Sequence, residues 1–216
     1  MTKISPSVLA ADLSNLKGAL SDMENAGADM IHLDVMDGNF VPNITFGQPV
    51  IRALRGGSNL IFDVHLMIAS PEKYAMEFID AGADILTFHL EATKGPLELL
   101  RDIRSQGVMA GISVKPATPV EELYPYLEEC DMVLIMTVEP GFGGQKLIPE
   151  TVEKVRKIKA EIEYRGLNVD IQVDGGINLQ NASTLVNAGA TILVAGSSVF
   201  GSKDPRAAIS ALRNND

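Results

Sequence analysis

Eight short runs rich in Val, Ile and Leu recur along the chain, at 4–9, 30–35, 60–66, 84–90, 108–114, 132–138, 169–174 and 191–196. Each has the length of a strand, and most are separated by amphipathic stretches bounded by helix signals. Ser70-Pro71, Thr118-Pro119 and Asp204-Pro205 pair a capping residue with a proline suited to the first helical position. "AGAD" at 26–29 and 81–84, and "AGAT" at 188–191, put a glycine between a helix end and the next strand. These glycines are spaced at close to two and four units of about 27 residues, and eight such units fill the 216-residue chain.

Two architectures bury parallel strands under helices: the open doubly wound sheet and the closed barrel. The count of eight and the even spacing favour the second. The expectation is an α/β protein, a (β/α)8 TIM barrel forming a single catalytic domain over 1–216, with 139–168 as its longest interval between strands.

An excess of Asp and Glu gives a formal charge of −10, which argues against nucleic acid and anionic membranes as partners. It leaves room for a small phosphorylated molecule, because backbone amides bind phosphate without Lys or Arg. Cys130 is the only cysteine, so no intrachain disulfide forms, as suits a reducing compartment. The opening "MTKISPSVLAADLS" has too short an apolar run for a signal peptide, and no apolar stretch reaches bilayer-spanning length. A cytoplasmic protein is expected.

In a barrel, one face of each strand meets the helices and the other fills the lumen, with active sites at the C-terminal strand ends. In "MIHLDVM" (30–36), Ile31, Leu33 and Val35 form one face; His32, Asp34 and Met36 form the other. "IFDVHLM" (61–67) sets Asp63, His65 and Met67 against Phe62, Val64 and Leu66. "DIQVDGG" adds Gln172 and Asp174, and "ISPSVL" adds Ser5 and Ser7. Two histidines and two carboxylates converging in one barrel mouth make a nitrogen/oxygen cage for a divalent metal such as zinc, iron(II), cobalt or manganese. The carboxylates also suit an acid–base pair working from two sides of a substrate. His89 is read as a hydrogen-bonded structural residue, Asp63 as orienting the His65 ring, and Asp37 as a turn residue. Met36, Met67 and Met136, at strand ends, are candidates for an apolar wall of the substrate pocket.

Glycines cluster in "PGFGGQ" (140–145), "DGG" (174–176) and "AGSS" (195–198). Barrels commonly bind phosphate with the loops after strands seven and eight. The amides of Gly176, Gly196 and Ser197 suit that task, with Gly143 and Gly144 closing over it as part of a lid.

Seven segments together identify a relative: "SPSVLAAD" (5–12), "HLDVMDGNFVPN" (32–43), "DVHLM" (63–67), "HLEAT" (89–93), "MTVEPGFGGQ" (136–145), "VDGGI" (173–177) and "VAGSSVF" (194–200). With them the chain closely resembles the ribulose-phosphate 3-epimerase family over essentially its whole length. The resemblance implies interconversion of D-ribulose 5-phosphate and D-xylulose 5-phosphate through an enediolate stabilised by one divalent metal. It implies His32, Asp34, His65 and Asp174 as metal ligands, and Asp34 and Asp174 as the acid–base pair. Substrate contacts carry over to Ser7, His65, Gly141, Phe142, Gly143, Gly144, Asp174, Gly175, Gly176, Gly196 and Ser197. It further implies a homo-oligomer, dimer or hexamer.

Departures are slight: Leu147 stands where Phe is common in the family. The alternatives within reach of the same residues are an epimerase of a hexulose 6-phosphate such as allulose 6-phosphate, and a metal-dependent sugar-phosphate phosphohydrolase. A non-catalytic sugar-phosphate sensor is disfavoured by the presence of both Asp34 and Asp174. The barrels that carry Asp-x-Lys-x-x-Asp at a strand end, orotidine-phosphate decarboxylase and hexulose-phosphate synthase among them, are disfavoured by Met36 at the lysine position.

Overall fold

The structure is a computed structural model describing residues 1–214. Eight parallel strands, β1 (Lys3–Pro6), β2 (Met30–Met36), β3 (Ile61–Met67), β4 (Ile85–His89), β5 (Met109–Val114), β6 (Met132–Met136), β7 (Asp170–Asp174) and β8 (Ile192–Ala195), are hydrogen-bonded in the order β1-β8-β7-β6-β5-β4-β3-β2. A parallel bridge between Ser7 and His32 brings the two outer strands together and closes the barrel. All eight expected strands are present. The helices are α1 (Leu16–Ala26), α2 (Gln48–Arg55), α3 (Ala75–Asp80), α4 (Pro96–Ser105), α5 (Thr151–Arg165), α6 (Ala182–Ala188), α7 (Ser197–Phe200) and α8 (Pro205–Asn214).

Strand alternation divides the interior in two. The outer faces of β2 and β3 (Ile31, Leu33, Val35, Phe62, Val64, Leu66) join helix residues such as Leu20, Ile51, Phe78 and Leu212 in one continuous apolar shell. Each fully buried side chain of this kind contributes about 1.5–3 kcal/mol, so the shell supplies most of the driving force and leaves the lumen free for polar groups. The lumen still has an apolar floor: Met30, Ile85, Met132 and Ile192, one each from β2, β4, β6 and β8, form a separate buried cluster. Side chains from alternate strands filling one layer is how such barrels pack. Above it the polar residues begin. Ser5 Oγ (2.9 Å) and Gln172 Nε2 (2.6 Å) both donate to Asp63 Oδ2.

The local signals mostly act as expected. Gly27 and Gly82, at φ 86° and 109°, end the helices before β2 and β4. Asp204 Oδ1 accepts the Ala207 N–H at 3.0 Å and so caps α8. Two signals are overridden. Ser70-Pro71 opens only a 3-10 turn over Pro71–Lys73, with Ser70 itself at φ 53°. After Thr118-Pro119 comes a 3-10 helix, Val120–Tyr126, rather than an α-helix. Pro125 lies inside it and has no N–H to give to an α-helical bond. Thr118 instead donates its hydroxyl to Glu91 Oε1 at 2.5 Å. No described helix is long and apolar enough to cross a membrane.

Candidate active site

The site begins with the register of two strands. β2 and β3 pair so that His32 faces Asp63 and Asp34 faces His65. In a parallel pair, partners point to the same side, so all four enter the lumen. Asp174, at the end of β7, completes the group. His32 Nε2, Asp34 Oδ1, His65 Nδ1 and Asp174 Oδ2 turn toward a common point. His32 Nε2 lies 3.3 Å from Asp34 Oδ1 and 3.9 Å from Asp174 Oδ2; His65 Nδ1 lies 3.5 Å and 3.9 Å from the same oxygens. One atom from each of the four residues fits within 4.8 Å of every other, a spacing that one metal ion could bridge.

Each member is held from behind. Ser7 Oγ donates to Asp34 Oδ2 at 2.6 Å, leaving Oδ1 for the cluster. Thr45 Oγ1 donates to the Asp34 carbonyl and accepts the Met36 N–H, tying the 37–45 loop to the end of β2. Asp63 Oδ2 lies 2.8 Å from His32 Nδ1. The ring that Asp63 orients is therefore His32, not His65. His65 is met by His89, Nε2 to Nε2 at 2.9 Å, with the rings stacked. Asp37 is a turn residue: its carboxylate accepts the N–H groups of Asn39, Phe40 and Ala69.

Burial and charge separate the two cluster carboxylates. Burial raises Asp34, but the imidazoles of His32 and His65 outweigh it and hold the group well below the usual carboxylate range. Burial and the Asp34 charge push Asp174 up to about 7. Burial brings His65 down to about 4, while the carboxylates of Asp63 and Asp34 overcome the burial of His32 and raise it. Two imidazoles and two crowded carboxylates, one of them resisting ionisation, form a donor set that a divalent cation fits.

Above the cluster opens a cleft of about 610 Å³, its mouth included. Asp34 and Asp174 reach its floor, whereas His32 and His65 lie beneath, fully buried. Met36, Met67 and Met136 line it, as do Ser7, Gly141, Phe142, Gly143, Gly144, Gly175, Gly176, Gly196 and Ser197. The sequence reading missed Leu9, Val138 and Gln145, which also line it and carried no polar or glycine signal except in Gln145. Lys115 does not; its ammonium sits 3.8 Å over the ring of Phe40, which packs against the Met36, Val41 and Met67 cluster.

The β6–α5 loop covers one side of the cleft. Gln145 Nε2 donates to the carbonyls of Glu139 (2.6 Å) and Phe142 (2.9 Å), and Asn43 Nδ2 donates to the Gly141 carbonyl (2.8 Å). Phe142, at the tip, is 56% exposed. The loop rests directly on the "DGG" turn. A Cβ on Gly175 would fall 2.5 Å from Val138 Cγ2, and one on Gly176 would fall 2.8 Å from the Gln145 carbonyl oxygen. Both glycines also have positive φ, so glycine is required there twice over.

Residues 3–200 match the family model described as the ribulose-phosphate 3 epimerase family. Ribulose-phosphate 3-epimerase of Bacillus subtilis is 45% identical over 216 residues, covering 100% of both chains. The enzyme of that name from Mycobacterium tuberculosis is 46% identical, covering 97% of this chain and 91% of its own. Among solved structures, 3-keto-L-gulonate-6-phosphate decarboxylase from Vibrio cholerae superposes with a TM-score of 0.73 at 14% identity, covering 99% of this chain and 96% of its own. Orotidine 5'-phosphate decarboxylase from Pyrococcus horikoshii gives 0.68 at 16% identity, with 98% of each covered. These two share the barrel fold. The match over nearly the whole length, with relatives above 40% identity, places this chain in the ribulose-phosphate 3-epimerase family.

Proposed function

We propose that this chain is an isomerase that inverts C3 of a pentulose 5-phosphate, interconverting D-ribulose 5-phosphate and D-xylulose 5-phosphate. The observation that carries the reading is the pair Asp34 and Asp174, set apart in proton affinity and reaching the floor of one cleft from two different strands. The C3 hydrogen is acidic because it neighbours the C2 ketone. One carboxylate removes it from one face, giving an enediolate; the other returns a proton to C3 on the opposite face. Nothing is oxidised or reduced, and the two carboxylates exchange protonation states in each turnover. A pair of titratable groups pushed apart by their surroundings is the arrangement such a division of labour needs.

His32, Asp34, His65 and Asp174 would hold one divalent cation, from among zinc, iron(II), cobalt and manganese. Such an ion supplies Lewis-acid stabilisation of the negative charge that develops on the sugar oxygens. Ser7 keeps one oxygen of Asp34 occupied and so fixes the direction of the other. Met36, Met67 and Met136 give the reacting carbons an apolar, water-poor wall. The phosphate would rest on the amides of Gly176, Gly196 and Ser197, the last opening α7, where a helix's first N–H groups have no partner of their own. Gly141, Phe142, Gly143 and Gly144 would close over it.

The direct test is proton NMR of D-ribulose 5-phosphate with the protein in deuterated water. Appearance of xylulose 5-phosphate deuterated at C3 is expected. Release of inorganic phosphate would instead reveal a phosphohydrolase, and turnover only of allulose 6-phosphate a hexulose enzyme. The reading extends to a cytoplasmic homo-oligomer. The cytoplasmic part is supported by the single, buried thiol of Cys130, which suits a reducing compartment.

A further inference from the structure

His89 and Glu91 lie outside the cleft and outside the four-residue cluster, yet they join it. A neutral imidazole has one N–H and one lone pair. His65 turns Nδ1 toward the cluster, so for that nitrogen to offer its lone pair the ring hydrogen must sit on Nε2. Nε2 is 2.9 Å from His89 Nε2, which must then accept. That places the His89 hydrogen on Nδ1. This nitrogen is fully buried and has no hydrogen-bond partner among the described residues. The nearby acceptor is Glu91 Oε2, at 3.4 Å.

Glu91 is itself anchored. Its Oε1 accepts the Lys115 N–H at 2.8 Å and the Thr118 hydroxyl at 2.5 Å, which leaves Oε2 to face His89. Burial acts to raise this carboxyl, but His89, Thr118 and the Lys115 amide bring it down to about 2, so it is a carboxylate. We infer that Glu91 and His89 are positioning residues that act in series, fixing His65 as its Nε2–H tautomer so that Nδ1 is presented to a divalent cation. Asp63 does the same for His32 in one step. One ligand histidine is set by a carboxylate directly, the other by a carboxylate through a second imidazole. The inference rests on the metal reading above.

Glu91→Gln tests it sharply. The amide oxygen replaces Oε1 on Lys115 and Thr118, so the NH2 group faces His89 Nδ1. A donor now stands where an acceptor stood, which favours the opposite tautomer at His89 and, through it, at His65. Zinc affinity, measured by competition with a chromophoric chelator, should fall about ten- to a hundredfold. In a His89→Gln background, the side-chain carbonyl can accept from His65 without reference to residue 91, so adding Glu91→Gln should there change affinity less than about twofold. Nitrogen-15 spectra of the zinc-loaded parent should show the His65 hydrogen on Nε2. Equal weakening in both backgrounds, an unchanged affinity in Glu91→Gln, or a His65 hydrogen on Nδ1 would each overturn the inference. A parent protein that binds no zinc, cobalt(II) or manganese(II) would overturn the metal reading itself.

Discussion

Asp63 and His32 face each other across the β2–β3 pair, carboxylate to imidazole at 2.8 Å, with neither exposed to solvent. The contact orients His32 and also holds together the polar layer above the barrel floor, since Ser5 and Gln172 converge on the same oxygen. Asp63→Ala would leave three buried groups unpartnered, and a loss of about 3–5 kcal/mol is expected by chemical denaturation. Asp63→Asn preserves the volume. It should fold, and its weaker hold on the Nδ1–H tautomer should lower zinc affinity by about tenfold or more.

The two cluster carboxylates should be separable by isotope. Asp34→Asn and Asp174→Asn are each expected to lower net epimerisation by a factor on the order of 10²–10⁴. Each variant retains one base, so one of the pair should still exchange the C3 hydrogen of a single epimer with deuterated water while keeping its configuration. Metal content must be measured first, because both residues belong to the cluster. Near-normal epimerisation by a metal-replete Asp174→Asn protein would refute the assignment.

Metal uptake should depend on pH with a definite sign. Asp174, pushed up to about 7, is largely protonated at about pH 6, and a cation must displace that proton. Affinity for zinc should therefore rise as pH increases through 7, and go on rising above it, because His32, raised by Asp63 and Asp34, must also shed its proton before Nε2 can bind. Calorimetry in two buffers of different ionisation heat should show proton release that diminishes toward higher pH. Removal of metal with a chelator should abolish turnover, and a divalent cation should restore it. Full activity in rigorously metal-free protein would contradict this.

The contact between the two glycine loops offers a test away from the chemistry. Gly176→Ala forces a side chain into the left-handed region, at about 1–2 kcal/mol, and pushes against the Gln145 carbonyl. The β6–α5 loop should shift, raising KM for the sugar phosphate more than it lowers kcat. Cleavage by protease near Phe142 should increase in this variant. In the parent it should decrease when a substrate analogue is present.

Strand alternation made much of this visible in the chain itself. The eight apolar runs announce the barrel, and their parity sorts His32, Asp34, His65 and Asp174 to the lumen, where the structure gathers them. Parity does not give stagger. Which residue of β3 stands beside His32 depends on the register between two strands, and that assigns Asp63 to His32 rather than to His65. The partnership of His65 with His89 is hidden for the same reason. Nor does a capping pair guarantee an α-helix: Thr118 is drawn away by Glu91, and Pro125, with no N–H to give, disfavours α-helical bonding in the 120–126 segment.

The apolar floor has a consequence for traffic. Met30, Ile85, Met132 and Ile192 make the barrel a vessel with a sealed base, so everything that reaches the four-residue cluster comes through the cleft above it. A cation held by the cluster and a sugar phosphate held above it would share one doorway, and the ion would then have to enter first and leave last. A seated sugar phosphate would act as a stopper, and chelators are expected to strip the loaded enzyme far more slowly than the free one.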